Sequence, residues 1–106
     1  MGFFSSLFGF GKLDEETAAQ VCKAVKGGAT VIDVRSAAEF SGGHISGAVN
    51  IPLFDLTRAT KRVGPKSKPV VLYCASGARS RSAAGLLRRA GYATVFDVGA
   101  MRNWPC

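Results

Sequence analysis

The sequence is short of acid. Seven Asp and Glu stand against fourteen Lys and Arg in 106 residues, a formal net charge of +7 with a single His. That imbalance disfavours cationic partners and suits anionic ones, whether small dianions, acidic protein surfaces or nucleic acid. Nucleic acid is the weakest of these, because no run of adjacent basic residues exceeds Arg88-Arg89 and the aromatics are not interleaved with basic positions. No apolar stretch reaches the length of a membrane-spanning helix. The start of the chain lacks the basic segment and small-residue cleavage site of a signal peptide, so a cytoplasmic location is expected. Cysteine is scarce and badly spaced for structure: Cys22, Cys74 and Cys106 form neither a zinc-ligand pattern nor a disulfide framework. Cys22 is therefore expected as a small core residue, Cys106 as an exposed terminal thiol, and no metal site is expected.

What is present reads as a tail, residues 1–12, followed by one domain, residues 13–106. The tail carries Phe3, Phe4, Leu7, Phe8 and Phe10. It is read as packing on the domain, with a weak membrane or partner contact as the alternative. Met1-Gly2-Phe3-Phe4-Ser5-Ser6 also fits the short and common myristoylation pattern. Asp14 to Lys26 predicts an amphipathic helix, capped by Asp14, with Glu15 and Glu16 on its dipole and Gly27-Gly28 at its end. Its inward stripe is Ala18, Val21, Cys22 and Val25. Thr30–Val34 is a short buried strand, Ser36-Ala37-Ala38-Glu39 a capping box opening a helical turn, and Ser41–Gly47 a loop. Ala48–Ile51 is a strand stopped by Pro52, and Leu53 to Val63 a helix with Leu53, Leu56, Ala59 and Val63 inward. Thr94–Val98 is a last strand, and Gly99 to Trp104 has room for a helical turn. Strands alternating with helices predict an α/β domain, a mostly parallel sheet of four to five short strands covered on both faces. Ligand sites in such sheets lie at the carboxyl ends of the strands.

The stretch with chemistry in it is Val70-Val71-Leu72-Tyr73-Cys74-Ala75-Ser76-Gly77-Ala78-Arg79-Ser80-Arg81-Ser82. An apolar strand behind Pro69 delivers a cysteine at its carboxyl end. A loop of small residues follows, then a helix with Ala83, Ala84, Leu86, Leu87 and Ala90 on its inner face. Gly77 supplies a positive φ at no steric cost, so the loop can turn its N–H groups inward, and Ser80 can cap the helix. Amides of the loop and of the first helical turn then converge on Cys74, with the positive end of the helix dipole behind them. The thiolate is the nucleophilic form of cysteine, and that environment favours it. Four residues separate Cys74 from Arg79. Cysteine phosphatases carry one more, a wider cradle suited to tetrahedral phosphate, which disfavours a phosphatase or arsenate reductase.

The loop resembles that of the rhodanese (thiosulfate sulfurtransferase) family. Ile32-Asp33-Val34-Arg35, Glu39-Phe40, Gly43-His44-Ile45, Gly47-Ala48 and Asn50-Ile51-Pro52 are similar to the family's first signature, in order and spacing. Tyr73 to Ser80 is similar to its catalytic loop, and Ala90-Gly91-Tyr92 with Val98-Gly99 to its closing segment. The resemblance spans about residues 13–104 and implies a three-layer rhodanese-like domain. It implies that Cys74 takes the outer sulfur of thiosulfate, polysulfide or a persulfide, becomes a persulfide, and passes the sulfur to cyanide or a thiol, including a protein thiol. Ala75, Ser76, Gly77, Ala78, Arg79 and Ser80 would cradle the transferred sulfur. Arg79 and Arg81 would attract the anionic donor. Asp33 and Arg35 would be a pair fixing the neighbouring loop, and His44 a hydrogen-bonding post rather than an acid–base group. Trp104 is read as a core aromatic, with a place at the pocket mouth as the alternative. No cofactor is implied. Two alternatives use the same fold: a sulfur carrier served by partner proteins, and a non-catalytic binding module, which commonly lacks the cysteine that this chain has.

Overall fold

The computed structural model describes residues 11–106; the readings of Phe3 to Phe10 and of the myristoylation pattern lie outside them. Four strands form one sheet: β1 (Thr30–Asp33), β2 (Val49–Asn50), β3 (Val70–Cys74) and β4 (Val95–Ala100). Their order is β2-β1-β3-β4 and every pairing is parallel. The helices are α1 (Glu15–Lys26), α2 (Ala37–Ser41), α3 (Thr60–Val63) and α4 (Ala78–Arg89), with 3-10 turns at Leu53–Arg58 and Met101–Asn103.

Strand alternation divides the core in two. Val70, Leu72 and Cys74 of β3 join Ile32, Leu56, Val63, Ala83, Ala84 and Leu87 on one face. Val71 and Tyr73 join Val21, Val31 and Val98 on the other, with Met101 and Trp104 packed against them. Every residue of β3 is buried, as a central strand covered on both faces requires. The sheet is therefore the middle of three layers, and the parity of β3 sends Cys74 to the α4 side.

Local signals set several boundaries. The Asp14 carboxylate accepts from the Thr17 amide at 2.7 Å and caps α1, which Gly27 ends. Ser36 and Glu39 form the full capping box of α2. The expected helix over Leu53–Val63 is instead broken at Ala59, between a 3-10 turn and the single turn of α3. Leu53, Leu56 and Ala59 explain this. They recur every third residue, the 3-10 period, and all three pack on the same core. Ala90, expected inward, is exposed, because α4 ends at Arg89 and Gly91 turns the chain away at φ +101°.

The expectation for two cysteines was wrong. Cys22 and Cys106 form a disulfide across a sequence separation of 84 residues, with Cα atoms 5.5 Å apart. Spacing along the chain carried no trace of it, because the contact is made by tertiary folding. The turn after β4 leads the terminus over the face that α1 covers, where Trp104 and Val21 share a core. Closing so long a loop constrains the unfolded chain, so Cys106→Ser, or reduction, is expected to lower stability by about 2–4 kcal/mol. Urea unfolding with and without dithiothreitol reads this directly; an unchanged midpoint would remove the bond's structural role.

Candidate active site

Two elements meet at Cys74. β3 ends there, and α4 begins four residues later at Ala78, with Gly77 as its N-cap at φ 113°. That left-handed conformation is one that a side chain resists, and it turns the Gly77 amide back on the strand end. The Gly77 N–H donates to Cys74 Sγ at 3.0 Å, and the Ser80 N–H donates to it at 3.3 Å. Two amides thus end on one sulfur at the positive end of a twelve-residue helix. Ser80 is not the cap. The helix starts behind Gly77, so Ser80 falls inside the first turn, fully buried, where its hydroxyl donates to the Gly77 carbonyl at 3.2 Å. Its Oγ also lies 3.5 Å from Sγ and accepts from the thiol. Cys74 has no exposed surface, and it is the one cysteine left free by the Cys22–Cys106 bond. Ala75, Ser76 and Ala78, in contrast, are exposed.

Arg79 turns towards α2. Its Nη1 and Nη2 donate to Glu39 Oε1 and Oε2 at 2.7 and 3.0 Å, a two-pronged pair about one-third exposed on each side. The same Oε1 closes the capping box with the Ser36 amide and hydroxyl. These partners, Arg79 first and the Ser36 amide next, pull Glu39 from an ordinary 4.5 down to about 2. Sequence patterning assigned Glu39 only its cap; the pairing with Arg79, forty residues away, left no local signal. A carboxylate whose pKa falls on folding stabilises the fold above its unfolded value and loses that contribution as pH falls through the folded one. The stability advantage of the native chain over Glu39→Gln should therefore be flat above about pH 4.5 and close towards pH 2. Urea midpoints across that range measure it; an advantage that persists unchanged at pH 2 would remove the pair from the account.

On the other side of β3, Asp33 and Arg35 form a buried pair. Arg35 Nη2 donates to Asp33 Oδ2 at 2.8 Å, Nε reaches both carboxylate oxygens, and the Arg35 amide donates to Oδ1. Nη2 also donates to the Gly43 carbonyl at 2.6 Å, which pins the loop after α2. The Asn50 amide group donates to the Asp33 and Arg35 carbonyls. The Arg35 guanidinium lies 5.8 Å from the centre of the Tyr73 ring. Tyr73, which immediately precedes Cys74, accepts from the Ile45 amide at 3.0 Å, and burial pushes its phenol up to about 12. Trp104 stands edge-on to the same ring. His44 is exposed, its ring stacked on Phe40 and its Nδ1 2.9 Å from the Phe40 carbonyl. The structure thus brings Asp33, Arg35 and the His44 loop to Tyr73. Among the described residues it brings the Gly77 and Ser80 amides and the Ser80 hydroxyl to the Cys74 sulfur, and it leaves Arg81 exposed on α4. No group of acids, cysteines and histidines that could hold a metal occurs among the described residues.

The family model of the rhodanese-like domain matches residues 17–104. The chain belongs to the rhodanese-like family. YqhL of Bacillus subtilis, an uncharacterised protein, is 43% identical over 77 residues, 72% of this chain and 60% of that protein. This rhodanese-like domain thus spans about three-fifths of that relative's length. The thiosulfate sulfurtransferase PspE of Escherichia coli is 34% identical over 73 residues, 68% of this chain and 70% of that protein. Among solved structures, the human single-domain sulfurtransferase TSTD1 superposes with a TM-score of 0.69 at 26% identity, over 88% of this chain and 93% of that one.

One carboxylate near the loop of this rhodanese-like domain carried no signal in the sequence. Asp97 sits where β4 bulges: Leu72 pairs with Asp97 and Tyr73 with Gly99, so Val98 is the extra residue. Its Oδ1 accepts from the Gly99 amide at 2.9 Å. Burial raises its pKa, against the Ser80 hydroxyl, the Gly99 amide and the charges of Arg88 and Arg81, which favour the ionised form. Among the described residues, no helix is long and apolar enough to cross a membrane.

Proposed function

We propose that the chain is a sulfurtransferase that moves a sulfane sulfur from thiosulfate, polysulfide or a persulfide to cyanide or a thiol, through a persulfide on Cys74. The observation that carries this reading is the pair of amides, Gly77 and Ser80, that end on Cys74 Sγ at the start of α4. The Cys74 thiolate attacks the outer sulfur of thiosulfate. A new S–S bond forms, the S–S bond of thiosulfate breaks, and its electron pair leaves with sulfite. The terminal sulfur of the persulfide carries the negative charge inside the loop Ala75–Ser80, whose amides act on it as donors act on an oxyanion. An acceptor nucleophile then takes that sulfur and restores the thiolate. Asp33 and Arg35 hold the Gly43–Ile45 loop against Tyr73, and His44 serves that loop rather than moving a proton. Arg81 and Arg79 draw the anionic donor, Arg79 with its charge already shared with Glu39.

That sharing favours a second reading: a sulfur carrier loaded by a protein persulfide and slow with thiosulfate. Intact-mass measurement after incubation separates the two. A gain of one sulfur from thiosulfate, cleared by cyanide or dithiothreitol, is the expected result. A gain only from polysulfide or a persulfidated protein would favour the carrier, and no gain from any of these donors would sink both.

A further inference from the structure

We propose that the groove between the Leu53–Arg58 turn and α4 docks an acidic, apolar-bearing segment of a partner protein. The groove, of about 580 Å³, is lined by Leu53, Phe54 and Leu86, by Thr57, Ser82 and Gly85, and by Arg81 and Arg89. Phe54 is 88% exposed and is the one large hydrophobic residue so exposed among those described. A phenyl ring left in water beside a concave surface is what an apolar side chain of a partner would cover. The occupant's charge follows from the lining, which has no carboxylate and carries Arg89 besides Arg81, whose charge also acts on Asp97, on a chain of net charge +7. The acid nearest in sequence, Asp55, is paired with Arg58 at 2.8 Å. Arg89 lies against Gly85 in that lining: a Cβ on Gly85 would come 3.3 Å from its Nη1. Gly85 therefore makes room for this cation at the helix surface.

Position completes the argument. The Leu53 amide donates to the Val34 carbonyl just beyond the end of β1, and the Arg81 amide donates to the Gly77 carbonyl within the Cys74 loop. Both walls of the groove thus start from the carboxyl end of the sheet, and Ser82 lies two residues beyond Ser80. A segment seated here would bring its protein to the loop over Cys74. That the partner's cargo is sulfur rests on the function proposed above; the docking does not.

The test titrates the full chain, followed by amide NMR, with a synthetic cysteine-free peptide alternating Glu with Leu and Phe. Two control peptides carry Lys for Glu, or Ser for Leu and Phe. Saturable shifts confined to residues 53–57 and 81–89 are expected, with affinity about tenfold weaker in Phe54→Ser and in Arg89→Glu and for either control peptide. Phe54 is too exposed for its replacement to threaten the fold. Equal binding of the Lys peptide, shifts spread over the whole basic surface, or an unchanged affinity in Phe54→Ser would each overturn the proposal. Thiosulfate loading of the native chain, read by mass on the same preparation, tests the sulfur chemistry separately. Docking without loading would sink the sulfurtransferase reading and keep the groove, and loading without docking would do the reverse.

Discussion

Cys74→Ser is expected to reduce sulfur transfer from thiosulfate by roughly 10⁴-fold or more, with little change in fold. The substitution exchanges a nucleophile for a hydroxyl that is not ionised near neutral pH, yet keeps an acceptor where the Gly77 and Ser80 amides point. Cys74→Ala would be the poorer probe. It would leave those two buried amides without a partner, at about 1–3 kcal/mol each, and would mix lost chemistry with lost stability. The disulfide sharpens the experiment. With Cys22 and Cys106 bonded to each other, unreduced Cys74→Ser has no thiol at all and should gain no sulfur by intact mass. A persistent gain would move the chemistry to an opened Cys22–Cys106 pair. A serine variant with native turnover would end the assignment.

The parts of this site that were legible beforehand are those written locally. An apolar run ending in cysteine, a glycine able to take φ 113° and a helical stripe behind it need only neighbours in sequence to become strand, loop and helix. The Asp14 cap and the Ser36–Glu39 box are local for the same reason. What escaped is tertiary. Glu39 meets Arg79 across forty residues, Tyr73 meets the Ile45 amide across twenty-eight, and Cys22 meets Cys106 across eighty-four. Each joins one local unit to another, and nothing in the spacing of either partner announces it. Ser80 shows a subtler failure. A serine near a helix start reads equally well as cap or first-turn residue, and only the placement of Gly77 decided between them. Hydrophobic period did hold information about the Leu53–Val63 segment, since Leu53, Leu56 and Ala59 recur in threes before Val63 follows at four, but one continuous helix was the wrong inference from it.

Asp33→Asn is expected to cost about 3–5 kcal/mol, large against the stability of a domain this size. Asp33 is fully buried and Arg35 is 6% exposed, so the two charges have little water to fall back on. The pair as a whole adds little over a well-packed apolar replacement, because its attraction is spent on desolvation. Removing one charge leaves the other stranded. Asparagine keeps the shape but brings its own N–H donors against the Arg35 amide, Nε and Nη2, which now donate to the carboxylate. The damage should travel along the bonds from Arg35. Nη2 holds the Gly43 carbonyl, and the loop that follows gives its Ile45 amide to Tyr73 beside Cys74. Hydrogen exchange at Gly43–Ile45 should therefore accelerate beyond the global loss of stability read by urea. The double variant Asp33→Asn/Arg35→Met should lose less than the sum of the two single changes, since it strands no charge. Strict additivity, or a single variant as stable as the native chain, would show that this buried pair does not hold the loop.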